Sequence, residues 1–412
     1  MLSVLHVTST LAPEAGGFSK AVIDLACAQA GQGQMRVVVF STFAAGHRLD
    51  AVRQRFEAAG VELHLAGPTR TRLHLHPQTR RLLRRLAQAS DVVHVHGMWE
   101  DSQHRAAVES RRAGRPYVWT PHGMLDPWSL RQSRWKKRLM LALRCRRDLN
   151  HAAALHFTTD VERDLVAALQ LRPTPIVESL GLDFSEFDSL PAPGEFRAQF
   201  PQIGNRRIVL FMSRVHYKKG LNLLIPAFAK AAAPDDVLVI AGPIAEGYLP
   251  ELQRLIEAAD AELARAGDEG SGAGPAPARG RAGLPLRDRV IFTGMLHGRQ
   301  RLAPLVDATV FVLPSYQENF GLAVAEAVAA GCPTIISDQV NIWKELSAAG
   351  AAGVVPTDES RLTEMLRLWL NDESIRSAHS AAGKAFARRR YDWQEIARRW
   401  LGHYQALVGR GG

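Results

Sequence analysis

The chain has 412 residues, of which 46% are hydrophobic and 22% charged, a composition typical of a folded protein and not of a disordered one. It contains no apolar run of 18 residues, which argues against a transmembrane helix, and we expect its first residues to form a strand, not a signal peptide. Three cysteines without metal or disulfide spacing favour a cytoplasmic protein. The net charge is +10, and residues 1–190 hold most of the excess, with 25 Lys/Arg against 18 Asp/Glu.

Short, β-branched apolar runs alternate with helical segments along the chain. The predicted strands are Val4–Thr8, Met35–Phe40, Val92–His96, Tyr117–Thr120 and Ala154–Phe157, followed by Ile208–Met212, Val237–Ala241, Val290–Thr293, Val310–Leu313 and Thr334–Ser337. This alternation predicts an α/β protein built from two doubly wound parallel sheets, each resembling a Rossmann domain.

The Pro/Gly cluster from Leu190 to Gly194 is the predicted linker between the two sheets. We therefore expect one domain over residues 1–190 and a second over 191–390, with ligands bound in a cleft beyond the carboxyl ends of the strands. Residues 391–412 have the periodicity of a C-terminal helix. Residues 265–283 are low in complexity, and we predict a mobile loop over 268–280.

Two candidate positions follow strands of the first domain. Gly16 and Gly17 precede a helix predicted to start near Ser19, where glycines let the backbone approach a ligand, although a plain strand-to-helix turn would also use them. His122 comes directly after the predicted strand Tyr117–Thr120, where residues of a binding cleft belong. Taken alone, His122 is more readily interpreted as a structural loop residue.

A basic loop follows the first strand of the second domain. Arg214 and Lys219 lie five residues apart, with Gly220 behind them. The guanidinium fork and the ammonium could converge on a diphosphate, and the alternative is a solvated basic loop.

The most informative stretch is Ser315-Tyr-Gln-Glu-Asn-Phe-Gly-Leu-Ala-Val-Ala-Glu-Ala-Val-Ala-Ala-Gly-Cys-Pro-Thr334. It predicts a loop and a helix between two strands, and the amides around Asn319, Phe320 and Gly321 could hold an anion at the start of the helix. Glu318 lies at the loop and Glu326 a little over two helical turns later, on the same side. Carboxylates beside a phosphate site suit a ligand with hydroxyls, such as a nucleotide sugar. The alternative for Glu326 is a solvated surface residue.

Glu318 and Glu326 with seven residues between them, in this context, resemble the signature of retaining glycosyltransferases of the GT-B fold, the family four group also called glycosyl transferases group 1. The resemblance covers nearly the whole chain. It implies two Rossmann-like domains facing a cleft, the first on the acceptor side and the second binding the nucleotide sugar, with the last helix returning to the first domain. It also implies transfer of a hexose, with retention, in the synthesis of cell-surface polysaccharide or glycolipid.

Roles follow where this chain matches family positions. The resemblance implies that Arg214 and Lys219 hold the diphosphate of the donor, that Glu318 binds sugar hydroxyls and that Glu326 binds the ribose. It also implies that His122 orients the sugar and that the loop with Gly16 and Gly17 borders the donor.

No metal or other cofactor is expected. His94 and His96 point to one face of a strand, but no acidic or cysteine ligand joins them at ordinary spacing, and no Asp-x-Asp motif is present. Three other classes of protein would share parts of the fold or of the nucleotide site predicted above. They are a GT-B epimerase, a phosphorylase with a pyridoxal lysine, and a non-enzymatic nucleotide-sugar-binding subunit.

Two basic clusters predict binding to the cytoplasmic face of an anionic membrane, and the family resemblance implies a lipid-linked acceptor there. One comprises Arg131, Arg134, Lys136, Lys137, Arg138, Arg144, Arg146 and Arg147, and the other Arg70, Arg72, Arg80, Arg81, Arg84 and Arg85. On a helix, Trp135, Leu139, Ala142 and Leu143 form one apolar stripe among the first set. The alternatives are that the stripe packs on the core, or that the cations neutralise a soluble acidic glycan. Nucleic acid is disfavoured because no aromatic reading surface accompanies the charge.

Overall fold

The computed structural model describes residues 1–70, 73–269 and 284–409 and divides the chain into two compact units. The first unit comprises Met1–Asp183 and Arg390–Gly412, and the second comprises Phe184–Arg389. The predicted linker from Leu190 to Gly194 lies inside the second unit, where the Gly194 N–H donates to the Asp307 carboxylate at 2.6 Å. The loop predicted over 268–280 lies, from residue 270 onward, outside the described residues.

The first unit is built on a seven-stranded parallel sheet of order β3-β2-β1-β4-β5-β6-β7. Its strands are β1 (Leu2–Thr8), β2 (Met35–Ala44), β3 (Glu62–Thr69), β4 (Val92–His96), β5 (Tyr117–Thr120), β6 (Ala154–Phe157) and β7 (Thr174–Val177). Its helices before the boundary are α1 (Gly17–Gly31), α2 (Asp50–Ala59), α3 (Gln78–Gln88), α4 (Asp101–Arg112), α5 (Pro127–Arg131), α6 (Arg134–Met140), α7 (Arg146–Asn150) and α8 (Asp160–Val166).

The second unit is built on a six-stranded parallel sheet of order β10-β9-β8-β11-β12-β13. Its strands are β8 (Ile208–Met212), β9 (Val237–Ala241), β10 (Val290–Gly294), β11 (Val310–Leu313), β12 (Thr334–Ser337) and β13 (Gly353–Val355). Its helices are α9 (Ser185–Asp188), α10 (Glu195–Gln199), α11 (Leu221–Ala231), α12 (Leu249–Glu269), α13 (Leu286–Arg289), α14 (Ala303–Asp307), α15 (Leu322–Ala330), α16 (Trp343–Ala348), α17 (Glu359–Asn371) and α18 (Glu373–Arg390).

The last helix, α19 (Trp393–Gly409), packs against α1 within the first unit. It buries Trp400 and Tyr404, which are 1% and 0% exposed. No helix among the described residues is both long and apolar enough to span a bilayer.

The predicted α/β class with two parallel sheets is confirmed. In each sheet the strand order reverses at one point, between β1 and β4 in the first and between β8 and β11 in the second. Ligands of doubly wound sheets bind beyond the carboxyl ends of the strands at such a reversal. The loops that follow β8 and β11 therefore lie where a ligand of the second unit is expected.

The two faces of the first sheet differ in chemistry. One face carries an apolar cluster that includes Leu5, Val95, Trp119 and Phe157. Because side chains alternate along a strand, the intervening residues point to the opposite face, and several of these are buried histidines.

Candidate functional site

Two loops of the second unit meet at the point where its strand order reverses. The loop after β8 ends in a single 3₁₀ turn over Tyr217–Lys219, and the loop after β11 contains Glu318. The Tyr316 N–H donates to the Lys218 carbonyl at 2.8 Å. A Cβ on Gly220, whose φ is +75°, would lie 2.0 Å from the Pro314 carbonyl oxygen, so this close approach requires glycine.

The side chains of Lys219 and Glu318 form an ion pair across these two loops. Lys219 is only 7% exposed, and Glu318 keeps 20% of its side chain exposed. The Glu318 N–H donates to the Gln339 carbonyl at 3.0 Å, and its own carbonyl accepts from the Asn341 N–H at 3.0 Å. The sequence predicted both residues for the site, and the structure brings them into direct contact.

The charge of Glu318 is set by this pair. Burial acts to raise the pKa of the carboxyl, but the Lys219 ammonium and its hydrogen bond outweigh burial and hold the pKa below the usual value. Glu318 is therefore a carboxylate at neutral pH, able to accept hydrogen bonds from hydroxyls.

The helix α15 begins directly after Glu318, Asn319, Phe320 and Gly321. Gly321 has a φ of +81°, and a Cβ there would lie 3.2 Å from the Glu318 Cγ, so a side chain at this position would crowd the Glu318 side chain. Helix α15 thus begins at Leu322, with only three residues between it and Glu318.

Arg214 lies in the loop after β8, and its side chain is exposed. Burial, followed by the nearby charges of Arg214, Lys218 and Lys219, lowers the pKa of His216. The cations are therefore gathered around His216, which caps the 3₁₀ turn by accepting from the Lys218 N–H at 3.2 Å.

Glu326 is buried on α15 and 5% exposed, so the alternative of a solvated surface residue is wrong. Its Oε1 accepts from the Arg301 Nε–H at 3.2 Å, and Arg301 also pairs with Glu186. Burial acts to lower the pKa of Arg301, but the two carboxylates outweigh it and raise the pKa. Sequence reasoning missed Arg301 and Glu186, which lie far from Glu326 along the chain and carry no local motif.

In the first unit, Gly16 and Gly17 stand at the start of α1, and both are exposed. The helix begins at Gly17, slightly earlier than predicted. Gly16 has a φ of +67°, while a Cβ there would meet no atom within 4 Å. Backbone conformation, not space, is what favours glycine at this turn.

His122 follows β5 and has a φ of +51°, a left-handed conformation that is uncommon for a side-chain-bearing residue. Phe18 contacts its ring edge-to-face, with centroids 5.0 Å apart. The next residue, Gly123, donates its N–H to the buried Glu162 carboxylate at 2.6 Å. Glu162 therefore helps to hold the loop, a role that the sequence did not assign.

The environment of His122 is neutral. Burial lowers its pKa to about 3, and His156 adds to the effect. Its Nε2 lies 3.1 Å from the Nδ1 of His96.

In the described part of the chain, one group of residues has the spacing of a metal site. It comprises His6, His94 and His96, whose ring nitrogens lie within 4.8 Å of one another. The sequence analysis considered His94 and His96 but not His6, which lies on the neighbouring strand.

Comparisons with known proteins bear on both units. Residues 194–386 match the family model described as Glycosyl transferases group 1, and residues 16–178 match the model described as Glycosyl transferase 4-like domain. A GDP-mannose:cellobiosyl-diphosphopolyprenol alpha-mannosyltransferase of Xanthomonas campestris is 25% identical over 420 residues, which cover 99% of this chain and 98% of that protein. A phosphatidyl-myo-inositol mannosyltransferase of Mycobacterium leprae is 27% identical over 245 residues, and the match spans 57% of this chain and 57% of that protein's length.

Solved structures share the fold. HepE of Anabaena in complex with UDP-glucose superposes with a TM-score of 0.74 at 18% identity, covering 98% of this chain and 100% of that one. Sucrose-phosphate synthase from Thermosynechococcus elongatus gives a TM-score of 0.70 at 18% identity, with 100% of both chains covered. Both family matches fall on the parallel-sheet units described above. The chain belongs to the glycosyl transferases group 1 family of GT-B glycosyltransferases.

Proposed function

We propose that the protein transfers a hexose from a nucleotide diphosphate sugar to a hydroxyl acceptor with retention of anomeric configuration. The observation that carries this proposal is the Lys219–Glu318 pair, held between the loops after β8 and β11 and followed directly by the first amides of α15. Cations and a hydroxyl-accepting carboxylate at the start of a helix together suit a sugar attached to a diphosphate.

In this proposal each candidate residue binds a different part of the donor. An ammonium has three N–H donors, so Lys219 can bond Glu318 and still donate to a phosphate oxygen. Arg214 is exposed and available as a fork for the diphosphate. Glu318 accepts from the sugar hydroxyls, Glu326 shares its carboxylate between Arg301 and the ribose, and His122 orients the sugar.

The transfer step depends on stabilising the negative charge of the leaving diphosphate. The leaving diphosphate gains negative charge as the glycosidic bond breaks, so fixed cations and helix amides stabilise the transition state more than the ground state. Gly16 and Gly17 leave the turn after β1 open to the donor. A nucleotide-sugar epimerase and a non-enzymatic binding subunit are the alternatives, and neither finds support among the relatives compared above.

Thermal unfolding with UDP and with GDP tests the donor site and identifies the base. A nucleotide at 100 times its Kd adds about 2.7 kcal/mol to the free energy of unfolding. The anomeric configuration of the product, read by proton NMR, then tests retention. An inverted product, or release of free sugar with no acceptor consumed, would contradict the proposal.

We further propose that the acceptor is lipid-linked and is met at an anionic membrane surface. The name of the Xanthomonas campestris relative specifies a polyprenol-linked acceptor for that protein. In this chain the apolar stripe on and after α6 is exposed: Trp135 is 68%, Leu139 51% and Leu143 75% exposed. The alternative in which these three side chains pack on the core is therefore wrong.

Exposed cations surround this stripe. Arg131, Arg134, Lys136, Arg138, Arg146 and Arg147 are all exposed. In the second basic cluster Arg70, Arg80, Arg81, Arg84 and Arg85 are exposed as well, and Arg72 lies outside the described residues. An exposed apolar stripe flanked by cations is typical of an interfacial segment, with each basic residue contributing on the order of 1 kcal/mol near anionic lipid.

Co-sedimentation with vesicles of increasing anionic lipid content, at low and high salt, tests the membrane proposal. We expect binding to rise with anionic lipid and fall with salt, and Leu143→Ser to weaken it. Leu368→Ser is the matched control, because Leu368 is 51% exposed on α17 in the second unit. Equal effects of the two substitutions, or binding without dependence on lipid charge, would point to a soluble acceptor.

A further inference from the structure

A row of buried polar side chains crosses the first sheet on the face opposite its apolar cluster. His6 on β1 lies beside His94 on β4, and His96 on β4 lies beside Thr120 on β5. All four are 0% or 1% exposed. Since burying polar groups is costly unless each finds a hydrogen-bond partner, the pairing of this row can be followed from one end to the other.

The row is anchored at a backbone carbonyl, which can only accept. His156 Nε2 lies 2.7 Å from the Glu178 carbonyl oxygen, so Nε2 carries the proton and Nδ1 of a neutral ring is bare. Thr120 Oγ1 lies 2.8 Å from that Nδ1 and must donate to it. The hydroxyl has a single proton, so His94 Nε2, 2.7 Å away, must donate to Thr120.

The next hydrogen bonds run through α19 and α1, which pack against each other. His94 Nδ1 is bare and accepts from the Tyr404 hydroxyl on α19, 2.6 Å away. That uses the only proton of Tyr404, so Gln29 on α1 must turn its amide nitrogen toward Tyr404, at 3.2 Å. The Gln29 Oε1 then faces His6 and accepts from its Nε2–H at 2.8 Å.

The last links lead to His122. His6 Nδ1 is bare and accepts from His96 Nε2–H at 2.9 Å. His96 Nδ1 is then bare and accepts from His122 Nε2–H at 3.1 Å. Each hydrogen bond of the row has one proton when every ring is neutral and protonated on Nε2, and the direction of every bond follows from the Glu178 carbonyl.

Burial disfavours the charged form of these rings and lowers their pKa values. Burial lowers the pKa of His6 and of His156 to about 4 and that of His122 to about 3, while the pKa values of His94 and His96 fall well below the usual range. A metal ion bound through Nδ1 of His6 and Nε2 of His96 would have to displace the hydrogen bond between these two nitrogens, which lie 2.9 Å apart.

We propose that this row fixes His122 as the neutral Nε2–H tautomer, with Nδ1 as an obligatory hydrogen-bond acceptor, and that Tyr404 and Gln29 are positioning residues for it. The tautomer is independent of what the protein binds. Its use, accepting a hydrogen bond from a hydroxyl of the donor sugar, rests on the proposed function.

Nitrogen NMR of the full chain with ¹⁵N-labelled histidine tests the tautomer, with the His122 signals assigned from His122→Gln. We expect a protonated Nε2 and a bare Nδ1 at pH 7, unchanged at pH 5.5. A protonated Nδ1, a charged ring at pH 7, or stoichiometric zinc in the purified protein would overturn the proposal.

Tyr404→Phe tests the positioning role, because it removes the donor to His94 and frees the Gln29 amide to turn. We expect the His122 signals to shift toward a mixture of tautomers. Tyr117→Phe is the matched control: Tyr117 is equally buried on the opposite face of the sheet, where its hydroxyl donates to the Asp148 carbonyl at 2.5 Å. Gln29→Met breaks the same link from α1 and serves if Tyr404→Phe does not fold. An unchanged His122 spectrum in a folded variant, or an equal change in Tyr117→Phe, would overturn the role.

Kinetics and ligand addition separate this inference from the proposed function. We expect Tyr404→Phe to raise KM for the donor about two- to tenfold, as for a weakened neutral hydrogen bond, and Tyr117→Phe to leave it within twofold. In the wild-type protein a saturating donor should shift the His122 Nδ1 signal. If the tautomer is as expected but no sugar nucleotide shifts Nδ1, the tautomer stands and the proposed use of His122 is wrong.

Discussion

The two units place their candidate residues in opposite electrostatic settings. In the second unit charges are kept by pairing, Lys219 with Glu318 and Arg301 with Glu326. In the first unit His122 and the residues behind it are kept neutral by burial. A buried group therefore keeps its charge where an opposite charge contacts it, and loses it where its neighbours are themselves neutral rings.

The largest expected effect that tests this difference between the two units is the pH dependence of the free energy of unfolding. The buried histidines have lower pKa values in the folded protein than in the unfolded chain, so the unfolded chain binds more protons as pH falls below about 6.5. The contribution of these neutral histidines to the free energy of unfolding is therefore present above that pH and is lost as pH falls. Between pH 6.5 and 5.5 each such histidine removes about 1 kcal/mol of unfolding free energy.

Urea unfolding at pH 7.5, 6.5 and 5.5 measures this slope. His156→Gln, which keeps a donor and an acceptor but does not titrate, should reduce it. The Glu318 contribution is lost only below its ordinary pKa of 4.5, because the folded-state pKa is lowered, so the two units separate by pH window. Stability that is flat from pH 7.5 to 5.5 would show that the histidines are not held neutral.

The next largest effect is expected for Lys219→Ala. It leaves the Glu318 carboxylate without its partner, which costs about 3 kcal/mol of unfolding free energy, the low end for a buried pair because Glu318 is partly exposed. Loss of a charged phosphate contact lowers transfer roughly ten- to 150-fold. Arg214→Ala should lower transfer over the same range with little loss of stability. Urea unfolding and kcat/KM check both, and equal stability losses would contradict the pairing.

A smaller effect is expected for Arg301→Met, which removes the cation that orients Glu326. We expect nucleoside diphosphate affinity to fall about tenfold, as for the loss of one well-placed hydrogen bond. Arg299→Met is the control, since Arg299 shares the 3₁₀ turn Gly298–Arg301 but donates to the Ser189 and Leu190 carbonyls. Calorimetric titration compares them, and similar Kd values for both variants would argue against a role for Glu326.

The smallest effect is expected for metal removal. If Arg214 and Lys219 neutralise the diphosphate, a chelator should leave the transfer rate nearly unchanged. Initial rates with EDTA, with and without added Mg²⁺ or Mn²⁺, measure this. Strict dependence on either ion would contradict the roles given to these two cations.

The fold class and the strands that are buried on both faces could be predicted from the sequence alone. Val92–His96, Ile208–Met212 and Val310–Leu313 were predicted with the bounds that the structure has. The strands that were not predicted, β3, β7 and β13, are all edges of their sheets. Strands β3 and β7 are only partly buried and have no continuous apolar run, and β7 even contains Pro175.

The two carboxylates of the candidate site could also be predicted from the sequence, because Glu318 and Glu326 lie within one loop-and-helix unit and their spacing is local. Their partners could not be predicted, because these contacts form only when the chain is folded. Lys219, Arg301 and Glu186 reach the two carboxylates from other loops, and no periodicity along the chain encodes those contacts. Likewise the alternation of His94 and His96 predicted a shared face, but strand order alone brought His6 beside them. Long-range contacts depend on which strands become neighbours, and that is settled by how the whole sheet packs.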